Sequence, residues 1–133
     1  ALYKAKRALN HYSNCLNYVV KTPSLTFCYI SDTRYEGLYF YDMGKKHAID
    51  VAFLPIDHVG PDSTARSRYL DIPKALQAFL DLGGKKLVPV CYGAFNFSHR
   101  NHEKFKEKLL KEAEKLNIAD KMCLLAPGES LKV

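Results

Sequence analysis

The run FCYISDTRYEG, residues 27–37, decides how this chain is read. An apolar segment from Leu25 to Ile30 has the composition of a strand, and it stops at Ser31-Asp32-Thr33, so a carboxylate stands where the chain leaves the sheet. Taken locally, Asp32 is either a capping or Asx-turn residue or a group that holds something beyond the strand. Nothing within the run separates the two, and the flanking elements must supply partners.

Outward from this strand, the elements alternate. Upstream, Leu16, Tyr18 and Val20 fall on one face of a strand-like stretch and Cys15, Asn17 and Val19 on the other. Downstream, YEGLYFYDMGKK (35–46) reads as a short helix interrupted by glycines, and IDVAFLPI (49–56) as a nearly continuous apolar strand. A polar loop, DHVGPDSTARSRY (57–69), separates it from a well-punctuated helix. Asp71 stands before Pro73 at that helix's start, Ala75, Leu76, Phe79 and Leu80 form its inner face, and Gly83-Gly84 ends it. KKLVPV (85–90) is the next strand. Phe105, Leu109, Ala113 and Leu116 recur at helical spacing over 102–116, and MCLLA (122–126) reads as a last strand. Such alternation predicts one α/β unit over residues 1–133 with right-handed crossovers.

Composition narrows the classes. With 133 residues, 47% of them hydrophobic, the chain has the size and content of one compact domain with a real core. Lys and Arg exceed Asp and Glu by 20 to 14, which favours anionic partners such as phosphoesters or, peripherally, acidic lipid surfaces. Much of that surplus lies in KEKLLKEAEK (106–115), a solvated helix face, and no nucleic-acid motif is visible, so nucleic-acid binding is not expected. Cys15, Cys28, Cys91 and Cys123 form no C-x-x-C pair and three lie in apolar runs, which predicts buried thiols in a reducing, cytoplasmic compartment. No apolar run approaches the roughly 20 residues of a membrane span. The entry into a strand with little preamble suggests part of something longer.

In open α/β sheets ligands collect beyond the carboxyl ends of the strands. Three such ends carry reactive groups: Asp32, the pair Asp57 and His58, and Cys91. Carboxylate, imidazole and thiolate together suit Zn²⁺. Each also has a plainer reading: Asp32 as a cap, Cys91 as a buried small hydrophobe, His58 as a solvated loop residue. His99 and His102 sit three apart at a helix start, where two histidines without a third ligand read as a polar terminus.

The ordered set YISDTRYEGLYFYDMGKKHAIDVAFLPIDHVGP, DIPKALQAFLDLGGKKLVPVCYGAFNFS and LLAPGES resembles the C-terminal half of a metallo-β-lactamase-fold hydrolase over roughly residues 14–130. It is most similar to the branch containing N-acyl-phosphatidylethanolamine-hydrolysing phospholipase D. The resemblance implies one αβ half of an αββα sandwich, with the N-terminal half absent from these residues. It implies one or two zinc ions bridged or bound by Asp32, which matches the family's Gly-Asp-Thr motif, and by Cys91, which stands where the family has a histidine. It also implies a metal-activated hydroxide attacking a phosphodiester, with Asp57, His58, Arg66 and Arg68 on the substrate side. Arg66 and Arg68 read equally well as surface charges.

Departures from the family pattern are specific. Ser31 and Asp57 replace glycines, Leu70 falls where a histidine is often found, and no His-x-His-x-Asp-His run exists in the chain. Asp32 and Cys91 cannot complete a zinc site alone, because a catalytic zinc takes about three protein ligands. The expectation is a hydrolase whose isolated chain is inactive and whose site is completed by a missing N-terminal half. The alternative is a degenerate member without metal that serves as a binding or structural module. Either way, a lone α/β layer would expose an apolar sheet face, to be covered by the missing half or by a homo-oligomer.

Overall fold

The computed structural model describes residues 2–4, 16–31, 33–56, 70–92 and 102–133, the first three by backbone only. Among the described residues, five strands form one sheet in the order β1 (Leu2–Lys4), β2 (Leu16–Lys21), β3 (Thr26–Tyr29), β4 (Val51–Pro55), β5 (Lys86–Val90). β1–β2 and β2–β3 pair antiparallel, whereas β3–β4 and β4–β5 pair parallel. Helices α1 (Gly37–His47), α2 (Ile72–Leu82) and α3 (His102–Lys115) fill the connections, and a 3₁₀ turn follows at Ala119–Lys121. Each parallel strand lies next to its predecessor and each crossover is helical, so crossovers of one hand put all three helices on one face.

That face is the core. Val19, Cys28, Ile30, Ala52, Leu54, Ile56 and Leu87 project from the sheet into one cluster with Phe40 and Met43 of α1, Leu76 and Phe79 of α2, and Phe105 and Leu109 of α3. The register sets Tyr18 against Tyr29, Tyr29 against Phe53 and Phe53 against Val88, which places these residues on the opposite face. There, Tyr18, Val20 and Tyr29 are 40–43% exposed and Phe27 meets Phe53 edge-on at 6.0 Å, whereas Val51 and Val88 are buried.

Local chemistry explains the boundaries. Asp71 caps α2 by accepting from the Lys74 amide at 3.0 Å, and Gly83 closes it at φ +61°. Asn117, at φ 55°, ends α3, with the Ile118 amide reaching back to the Ala113 carbonyl at 3.0 Å. Gly44 does not interrupt α1 as expected but lies inside it. A Cβ there would strike the backbone of Leu82, so glycine marks where α1 and α2 cross closely.

Three expectations are corrected. Leu80 and Leu116 are 39% and 42% exposed rather than inward-facing; Ile72, Ala78 and Leu82 complete the α2 face, and Leu116 lies beyond the end of α3. Residues 122–126 form no strand: Met122 makes one parallel bridge to Leu87, with the Cys123 amide bonded to the Leu87 carbonyl at 2.8 Å. The Lys86 amide donates to β4, so the backbone groups of Leu87 and Pro89 point along the sheet away from β4, and Pro89 has no N–H to extend the ladder. Cys91 is exposed and Cys123 half-buried, so of the three described cysteines Cys28 is the buried one. Among the described residues, no helix is long and apolar enough to cross a membrane.

Candidate functional site

Because β3, β4 and β5 run parallel, their carboxyl ends open on one edge, and hydrogen bonds tie those ends together. The Ile30 amide donates to the Phe53 carbonyl at 2.9 Å, and the Ile56 amide donates to the Val90 carbonyl at 3.0 Å. Ser31 and Cys91 therefore leave the sheet at the same edge, on either side of Ile56. Of the residues assigned to this edge from sequence, Cys91 is placed there. Asp32, Asp57, His58, Arg66 and Arg68 lie outside the described residues, as does His99.

Cys91 has a backbone that cysteine seldom adopts. Its φ is +68°, in the left-handed region that disfavours a Cβ. It stands on the open rim of a cleft of about 770 Å³ lined by Cys91, Tyr92, His102, Lys106, Leu124 and Glu129, among others. Tyr92 stacks on Phe105 at 5.8 Å, which fastens the end of β5 to the first turn of α3. That contact brings His102 and Lys106 to the same cleft as the thiol. Lys106 is also paired with Glu103 at 3.2 Å. His102, read from sequence as a polar helix terminus, thus faces a cavity, and Lys106 was missed because a lysine in a charged helix carries no signal of its own.

The other thiol reads differently. Burial pushes Cys28 up to about 12, so it stays protonated and inert in the core. The β3 exit loop is held from both sides. Asn17, fully buried on β2, accepts from the Ser31 amide at 2.8 Å and the Ser31 hydroxyl at 3.2 Å, and donates to Tyr39 Oη at 2.6 Å. Tyr35 Oη donates to Asp81 at 2.7 Å, and that bond to a carboxylate is the main cause pushing the Tyr35 phenol up to about 12. From sequence Asn17 shares one face of an alternating strand with Cys15 and Val19; that this face is the inner one, and that Ser31 and Tyr39 are its partners, emerges from the structure.

Cys91, His102 and Glu129 line one cleft, and thiolate, imidazole and carboxylate are donor types suited to a borderline-soft divalent cation. They do not form a site by themselves: among the described residues, no group of three or more His, Cys, Asp or Glu side chains is gathered closely enough to hold one.

No protein-family model matches the chain. Two solved structures share its fold. Igni18, a metallo hydrolase from the hyperthermophilic archaeon Ignicoccus hospitalis, is 23% identical, with a TM-score of 0.71 over 98% of this chain and 51% of its own. An isothiocyanate hydrolase from Delia radicum gut bacteria is 14% identical, with a TM-score of 0.72 over 98% of this chain and 54% of its own. At these identities the likeness is one of fold, and the chain spans about half the length of each structure. The described residues carry a mixed α/β fold that is shared with about half of each of these two hydrolase structures.

Proposed function

We propose that the chain is part of a metal-dependent hydrolase of the metallo-β-lactamase type, with zinc as the metal and a phosphodiester, in the manner of a phospholipase D, as the substrate. The observation that supports it best is Cys91: an exposed thiol in a left-handed conformation at the shared carboxyl edge of three parallel strands, beside an open cleft. Strain of this kind is kept where the surroundings enforce it, and it concentrates at functional sites. In this reading Asp32 and Cys91 are ligands, while Asp57, His58, Arg66 and Arg68 meet the substrate. A zinc ion held there would supply Lewis-acid chemistry, acidifying a water and polarising an oxygen of the substrate. The chain itself contributes a soft donor at 91, the Lys106 ammonium for an anionic substrate, the His102 imidazole, and the apolar wall of Leu124 and Leu125.

The remaining ligands come from a second α/β layer. The apolar strip of Tyr18, Val20, Phe27, Tyr29 and Phe53 is the surface such a layer would cover, in keeping with comparison structures about twice as long. The isolated chain is expected to show no turnover. Its setting in this reading is cytoplasmic, which suits the unbridged thiols of Cys28 and Cys123.

A second reading, a degenerate member acting as a binding module, has one observation in its favour. Leu70, where the family resemblance calls for a histidine, is fully buried in the core cluster. Metal analysis of the complete protein, followed by hydrolysis of bis-p-nitrophenyl phosphate, separates the two. The hydrolase reading expects bound zinc that falls in Cys91→Ala, together with turnover that falls with it. Metal-free protein with an unchanged melting temperature in Cys91→Ala is the result expected of the binding module.

A further inference from the structure

We propose that residues 123–129 form a strap hinged on β5, and that Pro89 keeps this strap off the sheet and so holds open the cleft beside Cys91. The hinge is a single rung. Met122 bridges Leu87 in parallel register, and the Cys123 amide donates to the Leu87 carbonyl at 2.8 Å. In a parallel ladder the next bond would run from the amide of residue 89 to the Cys123 carbonyl, and the one after from the Leu125 amide to the carbonyl of residue 89. Position 89 is where that donor is needed. The Lys86 amide donates to the Asp50 carbonyl and the Val90 carbonyl accepts from the Ile56 amide, so strand alternation turns the backbone of residue 89 away from β4 and towards the strap. Proline has no N–H to give there, and the ladder stops.

Beyond Cys123 the strap bonds to itself. The Ala126 amide donates to Glu129 Oε2 at 2.8 Å and the Glu129 amide to the Ala126 carbonyl at 3.0 Å, a turn that Gly128 completes at φ +89°. Leu124 packs on the core yet is only half-buried, as is Leu125, and residues 126–129 are exposed. The cleft opens between strap and sheet, with Pro89, Val90 and Cys91 on one wall and Leu124, Leu125 and Glu129 on the other. Continuing the register from the Leu87–Met122 bridge would set Ala126 level with Cys91 and close that wall on the thiol. Pro89 thereby governs how a ligand or reagent reaches residue 91, whether or not a metal is held there.

Pro89→Val supplies the missing donor, and the complete protein with a chelator present is the sample. Amide hydrogen exchange at Leu125 should slow by about 10-fold, the worth of one or two net hydrogen bonds, and iodoacetamide should reach Cys91 several-fold more slowly. Pro89→Ala carries the same expectation should the valine variant not fold. Leu125 exchanging as in wild type in both variants overturns the proposal, and so does an unchanged Cys91 rate when Leu125 is protected. The wild type provides a reading of its own. Its Leu125 amide should exchange at least about 10-fold faster than the Cys123 amide that bonds Leu87, and equal protection of the two overturns the hinge without any variant.

Discussion

Gly44→Ala sets two physical effects against each other with opposite signs. Within a helix, alanine is better than glycine by about 1 kcal/mol, so helix propensity alone predicts stabilisation. The crossing with α2 predicts the reverse. A Cβ at 44 would stand 2.6 Å from the Leu82 carbonyl carbon and 2.9 Å from its Cα, with the carbonyl oxygen nearer still. These are backbone atoms, so no rotamer change relieves the clash and the helices must part by about 1 Å. A gap of that size forfeits a quarter to a half of the dispersion attraction across it. Phe40, Met43 and Leu82, buried at this crossing, together contribute about 6 kcal/mol, so the loss is about 1.5–3 kcal/mol. Subtracting the propensity gain leaves a net destabilisation of about 0.5–2 kcal/mol, or roughly 2–8 °C in melting temperature for a domain of this size. Gly83→Ala is the control. It meets no atom within 4 Å but must hold φ +61°, so it should cost about 1 kcal/mol without repacking. Thermal and urea unfolding followed by circular dichroism measures both, and a Gly44→Ala protein at or above wild-type stability refutes the close crossing.

Brief alkylation with iodoacetamide at pH 8, mapped by peptide mass spectrometry, should modify Cys91 while Cys28 stays unlabelled until the chain is unfolded. With its pKa near 12, the native Cys28 thiolate is about three orders of magnitude scarcer than in an unfolded chain; labelling of both at similar rates would contradict the placement. Asp50 provides a pH test at the opposite edge of the sheet. The Lys85 ammonium at 2.7 Å, and then the Thr26 amide at 2.8 Å, hold its carboxyl below the usual carboxylate range. A depressed pKa means that the unfolded state binds the proton first. The stabilisation is therefore complete above the ordinary carboxylate pKa and is lost as pH falls below about 4. Urea midpoints from pH 7 down to pH 3 should fall more steeply for wild type than for Asp50→Asn, and parallel curves would count against the pairing. Asp71→Ala, which removes the side-chain acceptor for the Lys74 amide, should lower stability by about 1 kcal/mol in the same unfolding assay, and an unchanged midpoint would show that the cap contributes nothing.

Much of the layer was legible because punctuation and period agreed. Asp71, Pro73 and Gly83 bracket α2, and the apolar run at 49–56 names a strand buried in the sheet interior. What could not be read depends on pairs distant in sequence. The closeness of Gly44 to Leu82 turns an apparent helix break into a helix crossing. The end of the ladder at Met122 depends on which way Pro89 faces, which only the β4–β5 register fixes. At the edge, strand direction was inferred correctly from the helical crossovers, so Ser31 and Cys91 emerge together. The exposure of Cys91 was hidden, because a cysteine inside an apolar run looks the same whether it ends the run inward or in a left-handed turn. Asn17 and Tyr39 are 22 residues apart, and nothing in either neighbourhood announces the other.

Substituting cobalt into the complete protein asks the decisive question in one spectrum. A thiolate-to-cobalt charge-transfer band in the wild type that vanishes in Cys91→Ser is the result predicted here. Cobalt that does not bind, or a band indifferent to Cys91→Ser, would remove the thiol from the metal and the proposed site with it.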